Sequence, residues 1–360
     1  MKGLNNVLKR ITALLLALIM LVGCSGNDSK DKNANNSQSE LRVGIVFTVA
    51  GLGGESFNDL AFEGLKKAKT DFGIEYDYVE PKSVSDQEIT LDEMANSEKY
   101  SLIIAVGFEQ VDALKTVSAN YPKQKFALID AVVELDNVAS YVSKEEEGSF
   151  LLGALAALVK ESGEVDKISK NKVLGFIGGV ESPLINKFAA GFVAGSKYID
   201  QDFNVLIDYV GSFNDPTTAK VIAETMSGKG ADIIYHAAGA SGMGLFQYAK
   251  EKDIVAFGVN MNQNSVAPDN IMASMLKKAD RAVYDVVKSI KEDKFNPGIN
   301  TLGLKDQGVD ITLEKSNIKI SKDITSKIEN IKKKIINGEL QIPSEFGNVD
   351  DFIKNNKFKN

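Results

Sequence analysis

Hydrophobic and polar positions divide the chain into three stretches of different character. Residues 11–22 form an almost unbroken apolar run, and residues 25–40 contain neither an aromatic nor a β-branched side chain. From Leu41 onward, short apolar runs alternate with amphipathic stretches of helical period. This alternation is typical of α/β domains with a mostly parallel sheet, so we predict an α/β body that begins near Leu41.

Strand-like apolar runs recur through the alternating region. The predicted strands are Arg42 to Val49, Glu75 to Val79, Leu102 to Val106, Lys125 to Ile129, Val138 to Tyr141, Lys172 to Ile177, Asn204 to Val210, Ile233 to His236, Ile254 to Val259 and Ile271 to Ser274. These strands are too many for one modest doubly wound domain, and a chain of this length exceeds the usual size of a single core. We therefore expect two lobes.

An internal similarity supports the division into lobes. The two similar stretches are LRVGIVFTVAGLGGESFNDLAFEGLKKA and KVLGFIGGVESPLINKFAAGFVAGSKYI, and each contains a strand, a glycine-containing turn and a helix. We predict a first lobe of residues 41–141 plus 262–290 and a second lobe of residues 142–261 plus 291–360. Ligands of open α/β sheets lie beyond the carboxyl ends of the strands, so a shared cleft between the lobes is expected. A helix from about Lys322 to Ile336 is expected to wrap back over one lobe.

The first apolar run has the features of a secretory signal. Lys2, Lys9 and Arg10 precede it, and it is too short to cross the ~30 Å hydrocarbon core of a bilayer. It ends in LVGC, and small residues before Cys24 resemble the lipobox at which bacterial lipoproteins are cleaved and diacylated. We predict a signal peptide over residues 1–23, lipidation of Cys24, and a flexible tether over residues 24–40. The predicted location is the extracytoplasmic face of a cell membrane.

Composition excludes several classes of function. Loss of residues 1–23 removes three positive charges and no acids, so the formal net charge moves from -7 to -10, which argues against nucleic acid as a partner. One histidine and one cysteine argue against structural zinc, and we expect no cofactor. The chain contains no G-x-S-x-G or H-E-x-x-H motif, and the turn GLGGES lacks the third glycine of the dinucleotide fingerprint. We therefore expect a monomeric binding protein for a small molecule rather than an enzyme.

Candidate ligand-binding residues of the first lobe follow predicted strands or begin the next helix. Asn58 either caps the helix or bonds a heterocycle, and Phe62 falls just off the apolar stripe of that helix, where it can stack on a base. Asp130 ends the strand KFALID at the predicted cleft edge. Lys277, after the strand IMASM, is either a cleft-edge cation or a solvated helix start.

Candidates of the second lobe are aromatic or glycine residues. Phe188 and Phe192 lie four residues apart on one helix and are either core or cleft residues, whereas Phe213 precedes a turn. The turn from Gly239 to Gly242 follows the strand ADIIYHA and allows close approach of the backbone to a ligand. His236, on that strand, is interpreted as a core histidine.

These residues lie within motifs that occur in a fixed order along the chain. The motifs are SFNDLAFEG, FALID, SYVSKEEEGSFLLGALAAL, GFIGGVESPLINKFAAGFVAG, YVGSFNDP, AAGASGMG, AFGVNMNQ, SMLKKAD, LGLKDQGV and IINGELQIP. In these motifs the chain resembles the basic membrane protein family of substrate-binding lipoproteins, whose members include purine nucleoside receptors. The resemblance spans Leu41 to about Pro343.

The resemblance implies a type I periplasmic-binding-protein fold, with two doubly wound lobes, crossover hinge strands and closure around a nucleoside for an ABC permease. It implies that Asn58 and Asp130 bond the base edge and that Phe62 and a second-lobe aromatic sandwich its faces. The backbone from Gly239 to Gly242 would line the pocket, and Lys277 would reach the ribose hydroxyls.

One motif departs from the family pattern. Where the family commonly shows Gly-Val-Asp-x-Asp-Gln, this chain has Asn260 and Asn262 in place of both acids. A carboxylate accepts sugar hydroxyls through charge-assisted bonds that are roughly twice as strong as neutral ones. A modified nucleoside, a free base or another small polar ligand therefore stays open, as does a surface sensor or interaction lipoprotein that does not transport.

Overall fold

The computed structural model describes residues 41–53 and 57–358 of the chain. The predicted signal peptide, Cys24 and the tether lie outside the described residues. Within the described part, every helix is too short or too polar to cross a bilayer.

The first lobe is built on a six-stranded parallel sheet. Its strands are β1 (Arg42–Val46), β2 (Glu75–Val79), β3 (Leu102–Val106), β4 (Phe126–Ile129), β5 (Val138–Ser143) and β11 (Gly298–Leu302). Their order across the sheet is β11-β5-β4-β3-β1-β2. Its helices are α1 (Phe57–Phe72), α2 (Val84–Asn96), α3 (Val111–Asn120) and α8 (Ala279–Lys291).

The second lobe repeats this architecture. Its strands are β6 (Val173–Gly178), β7 (Asn204–Tyr209), β8 (Ile233–Ala237), β9 (Val255–Asn260), β10 (Ile271–Lys277) and β12 (Val309–Thr312), in the order β12-β10-β9-β8-β6-β7. All neighbours are parallel except β10 and β12. Its helices are α4 (Glu145–Ser162), α5 (Pro183–Ile199), α6 (Pro216–Gly228), α7 (Met243–Lys252), α9 (Lys322–Ile336) and α10 (Val349–Asn355).

Burial of the strands explains why their positions can be recognised in the sequence. Parallel sheets covered by helices on both faces require strands that are apolar throughout, and all five residues of β3 are buried. Each sheet accordingly has an apolar core on either face. The tail helix α9 buries one stripe of isoleucines against the second-lobe core, at Ile324, Ile328, Ile331 and Ile335.

Helices α4 and α5 pack with their backbones in close contact. A Cβ added at Gly153 on α4 would overlap the carbonyl oxygen of Phe192 on α5, and one at Gly195 on α5 would overlap the carbonyl oxygen of Phe150 on α4. Glycine at these positions therefore permits the close crossing. This packing fixes α4 to the second lobe and fixes its first residue, Glu145, beside the cleft.

The chain crosses between the two sheets at three places: after β5, after β10, and between β11 and β12. Two doubly wound lobes joined in this way form a type I periplasmic-binding-protein fold, as the family resemblance implied.

The predicted lobe boundaries differ from the observed sheets. Residues 262–290 were expected in the first lobe, but β10 pairs with β9 in the second sheet and only α8 packs on the first lobe, against α1. Residues 291–360 were expected in the second lobe, but β11 pairs with β5 in the first sheet. The sequence does not indicate sheet membership here, because an apolar strand such as β10 suits the interior of either lobe.

Candidate functional site

A cavity of about 380 Å³ lies between the two lobes. Pockets for small ligands typically measure ~300–1,000 Å³, so this cavity suits a compact ligand. Nearly every segment that lines it follows the carboxyl end of a strand, where α/β sheets bind ligands. The first-lobe segments are residues 48–50, 107–109 and Asp130, and the second-lobe segments are Val180, residues 212–214, Ala237, residues 239–240, Asn260 and Lys277.

Four phenylalanines supply the aromatic surface of the cavity. Phe57 and Phe108 come from the first lobe, and Phe188 and Phe213 come from the second. The rings of Phe108 and Phe213 meet edge to face across the cleft, with centroids 6.3 Å apart. Gly179 makes room for Phe213, because a Cβ there would overlap its ring. Both lobes thus present aromatic groups to the same cavity.

Lys277 is the cation of the cavity. Its Nζ forms ion pairs with Asp130 and Glu145, and it lies 2.8 Å from Oε1 of Glu145. Burial lowers the pKa of Lys277, but the attraction of Asp130 and Glu145 outweighs burial and leaves that pKa raised. The ammonium therefore stays charged at neutral pH. Because Asp130 directly follows β4 of the first sheet and Lys277 is the last residue of β10 in the second, their ion pair joins the lobes across the cavity.

Asp130 has a strained backbone. Its φ of 89° lies in a region that residues other than glycine rarely adopt. A hydrogen bond of 2.8 Å from its backbone N–H to the carbonyl oxygen of Tyr141 stabilises this conformation. Strain of this kind is concentrated at ligand sites, which agrees with the place of Asp130 on the cavity wall.

Asn58 lines the cavity, but its amide is engaged within the protein. Nδ2 donates to the carbonyl oxygen of Gly51 at 2.7 Å and to Oγ1 of Thr48 at 3.0 Å, while Oδ1 accepts from the backbone N–H of Thr48. Asn58 is 1% exposed. The sequence left open a helix cap or a bond to a heterocycle, and the structure shows a third role, in which the amide fixes the loop after β1.

The two amides that depart from the family pattern have different surroundings. Asn260 lines the cavity and has φ 69°, a left-handed conformation that asparagine tolerates. Asn262 instead donates to the carbonyl oxygen of Glu314 at 3.2 Å and accepts from the backbone N–H of Asn264 at 3.1 Å. Only Asn260 of this pair is therefore placed to influence a ligand.

Two predicted aromatic site residues lie outside the cavity. Phe62 packs among Phe47, Tyr76 and Tyr78, with ring centroids 5.0–5.8 Å away, on the face of the first sheet. Phe192 is fully buried and packs against core aromatics of the second lobe. Phe62 is therefore not on the cavity wall as predicted, because helical period alone does not indicate which off-stripe positions reach the cleft. Phe192 takes the core role, one of the two that the sequence left open for it.

The predicted glycine turn reaches the cavity only at one end. Gly239, with φ 56°, lines the cavity, whereas a Cβ at Gly242 would overlap the ring of His236 beneath the turn. Burial lowers the pKa of His236 to about 4, so the ring is neutral, and its Nε2 lies 3.2 Å from Oε1 of Gln263. The interpretation of His236 as a core histidine is confirmed. Gly242 serves packing rather than the cavity.

Three further cavity residues were not predicted from the sequence: Phe57, Phe108 and Glu109. Phe57 immediately precedes Asn58, and Phe108 and Glu109 follow β3 after a single glycine. Their positions beyond the carboxyl ends of β1 and β3 were the signal that could have identified them. Glu145, which contacts Lys277 from behind the cavity wall, was also missed.

Comparisons with known proteins agree with this geometry. Residues 41–345 match the model of a family described as Bmp, ABC transporter substrate-binding protein PnrA-like. The chain is 32% identical to the ABC transporter nucleoside-binding protein BmpA of Lactococcus lactis, over 93% of this chain and 98% of that protein. It is 33% identical to an uncharacterised lipoprotein of Pyrococcus abyssi, over 82% of this chain and 74% of that protein.

A solved structure extends the similarity to three dimensions. The crystal structure of an ABC transporter solute-binding protein from Aeropyrum pernix is similar to the present structure, with a TM-score of 0.78. The two chains are 31% identical, and the similarity covers 87% of this chain and 96% of the other.

Proposed function

Because this chain belongs to the Bmp family of PnrA-like ABC transporter substrate-binding proteins, we propose that it captures a purine nucleoside in the interlobe cavity. It then delivers the nucleoside to an ABC permease by closure of the cleft. A lipid at Cys24 anchors it on the extracytoplasmic face of the membrane. The observation that carries the proposal is a cavity with phenylalanines from both lobes and an ion-paired lysine in one wall.

The aromatic groups account for recognition of a base. Every base has a flat π-face, and stacking on an aromatic side chain contributes ~1–3 kcal/mol per base. Phe57 and Phe108 approach from one lobe and Phe188 and Phe213 from the other, so a base bound between the lobes would contact rings on both sides. These contacts favour the closed arrangement of the lobes, because in an open cleft the base could contact the rings of only one lobe.

The polar groups account for recognition of a sugar. The family resemblance implies a bond from Asp130 to the base edge, but its ion pair with Lys277 places it beside the residue proposed for the ribose, so we assign both to the sugar. Asp130 accepts hydrogen bonds, Lys277 donates them, and the amide of Asn260 can do both. Vicinal hydroxyls of a ribose require both donors and acceptors within one short distance. These three side chains, on three different strand ends, offer that combination within one cavity.

Charge in the cavity favours a neutral ligand. Glu109 and Asp130 both line it, and Lys277, its one basic lining residue among those described, is already paired with two carboxylates. A phosphate group would therefore meet carboxylates without an unpaired cation to balance it. The proposal is accordingly a nucleoside and not a nucleotide.

A thermal-shift screen tests this proposal. A ligand at 100 times its Kd stabilises the folded state by ~2.7 kcal/mol, which raises the unfolding temperature measurably. We expect adenosine, guanosine or inosine to stabilise the purified protein more than the free bases or ribose do, and adenosine monophosphate to have little effect. A shift with ribose alone, or with the monophosphate more than the nucleoside, would contradict the proposal.

A further inference from the structure

Glu145 is a buried acid that touches the lysine of the cavity without lining the cavity itself. It is the first residue of α4, its side chain is fully buried, and its Oε1 lies 2.8 Å from Nζ of Lys277. Lys187 of α5 approaches its other oxygen at 3.7 Å. A carboxylate taken out of water without compensating partners is strongly destabilising, so its burial at this point demands an explanation.

The hydrogen-bonding capacity of Lys277 supplies that explanation. An ammonium group has three N–H donors and no acceptor. One donates to Oδ1 of Asp130, while the contact of the ammonium with Glu145 is an ion pair at 2.8 Å in which neither oxygen of Glu145 accepts a hydrogen bond from the described residues. Three donors against two acidic partners leave a third N–H for a ligand. The Lys277 side chain is 4% exposed and lies between the rings of Phe57 and Phe188, with its Nζ 5.0 and 5.5 Å from their centroids. Its ammonium therefore has little freedom to move.

Glu145 also affects Asp130. With a second carboxylate opposite, the ammonium is shared between two acids and is not drawn wholly onto Asp130. Among the described residues, Lys277 bonds Asp130 through Oδ1 only, so Oδ2 can accept a hydroxyl from a ligand. If Glu145 were removed, Lys277 would pair more fully with Asp130, and neither of these two side chains would remain available to a ligand.

We propose that Glu145 is a positioning residue that holds Lys277 so that its third N–H and the free oxygen of Asp130 together engage the vicinal hydroxyls of a ribose. The inference rests on the proposed function and deepens it: Glu145 makes the site selective for ribonucleosides over nucleosides that lack the sugar hydroxyls. One hydroxyl donates to Asp130, and its neighbour accepts from Lys277.

The matched control is the neighbouring acid. Glu146 is also buried at the start of α4, but Glu145 and not Glu146 forms the ion pair with Lys277. The variants Glu145→Gln and Glu146→Gln therefore make the same chemical change at adjacent buried positions. Glu145→Asp, which keeps the charge but withdraws it by one methylene, offers a second test should Glu145→Gln fail to fold.

The experiment measures Kd by calorimetry for adenosine and for 2′,3′-dideoxyadenosine. Hydrogen bonds to charged groups contribute ~1.5–3 kcal/mol, so the preference for adenosine should fall roughly tenfold in Glu145→Gln. The preference should fall in the same direction in Glu145→Asp and should keep its wild-type value in Glu146→Gln. In addition, as pH rises, the loss of adenosine affinity should begin at a lower pH in Glu145→Gln than in wild type, since the Lys277 ammonium loses one of the two carboxylates that raise its pKa.

Loss of the positioning role and loss of nucleoside binding give different experimental results. An unchanged preference in Glu145→Gln, or equal weakening of both ligands, would overturn the positioning role while leaving nucleoside binding intact. Failure of the wild-type protein to bind adenosine would overturn the proposed function and this inference with it.

Discussion

Truncation of Phe57 to alanine isolates the contribution of one aromatic ring to ligand affinity. Phe57 begins α1, lines the cavity, and lies with its ring centroid 5.0 Å from Nζ of Lys277. Loss of one stacking partner of a base costs ~1–3 kcal/mol, which corresponds to a rise in Kd of roughly 5- to 150-fold. Calorimetric titration with adenosine measures this change. Phe57→Leu keeps apolar bulk without a π-face, so it should recover only part of the lost affinity.

Phe62 provides a matched control on the same helix. It is half-buried like Phe57, but its ring packs against Phe47, Tyr76 and Tyr78. Phe62→Ala should lower the free energy of unfolding by about 1–3 kcal/mol and leave the Kd for adenosine unchanged. The reasoning would be refuted by a wild-type Kd in Phe57→Ala, or by a greater loss of affinity in Phe62→Ala than in Phe57→Ala.

Three further predictions concern a specificity residue, a buried acid and the membrane anchor. Asn260→Asp should raise the affinity for ribonucleosides relative to free bases, because Asn260 lines the cavity. Asn262→Asp should not, because Asn262 bonds the carbonyl oxygen of Glu314 instead. If calorimetry gave the same ratio of ribonucleoside to base affinity for both variants, the role of Asn260 would be disproved. Burial raises the pKa of Glu146 to about 7 from 4.5, so the folded state loses up to about 3 kcal/mol of stability as pH rises from about 4.5 to about 7. Urea unfolding at the two pH values should show no such loss of stability in Glu146→Gln. If the variant lost as much stability as the wild-type protein, Glu146 would not be the cause. Cys24→Ala should abolish incorporation of labelled palmitate and release the protein from the membrane fraction, and retention of the label would disprove the anchor site.

Most of the fold could be predicted from the sequence because its strands are buried on both faces. Runs such as LIIAV of β3 are apolar throughout and identify the central strands. Each predicted strand has a counterpart in the structure, including the largely half-exposed edge strands β2 and β7, which have aromatic or β-branched residues in a short run. The strands β11 and β12 were missed, because they are edge strands whose residues are largely half-exposed or exposed and which lack an apolar run. The sheet to which β10 belongs was assigned wrongly, since pairing partners are set by tertiary contacts that a local pattern does not contain.

The candidate site was predictable where residues follow strands. Asp130 and Lys277 end apolar runs, and both line the cavity. The choice of Phe62 over Phe57 relied on helical period, but the first residue of a helix lies nearer the cleft than a residue one turn further along. Glu145 was unrecognisable because consecutive glutamates at a helix start ordinarily lie in solvent. Its burial depends on Lys277, which is distant in sequence.

A crystal structure of the protein with adenosine tests the central claim most directly. We expect electron density for the base among Phe57, Phe108, Phe188 and Phe213, with ribose hydroxyls within hydrogen-bonding distance of Lys277. Adenosine bound at another surface, or bound in the cavity with its ribose away from Lys277, would contradict the account.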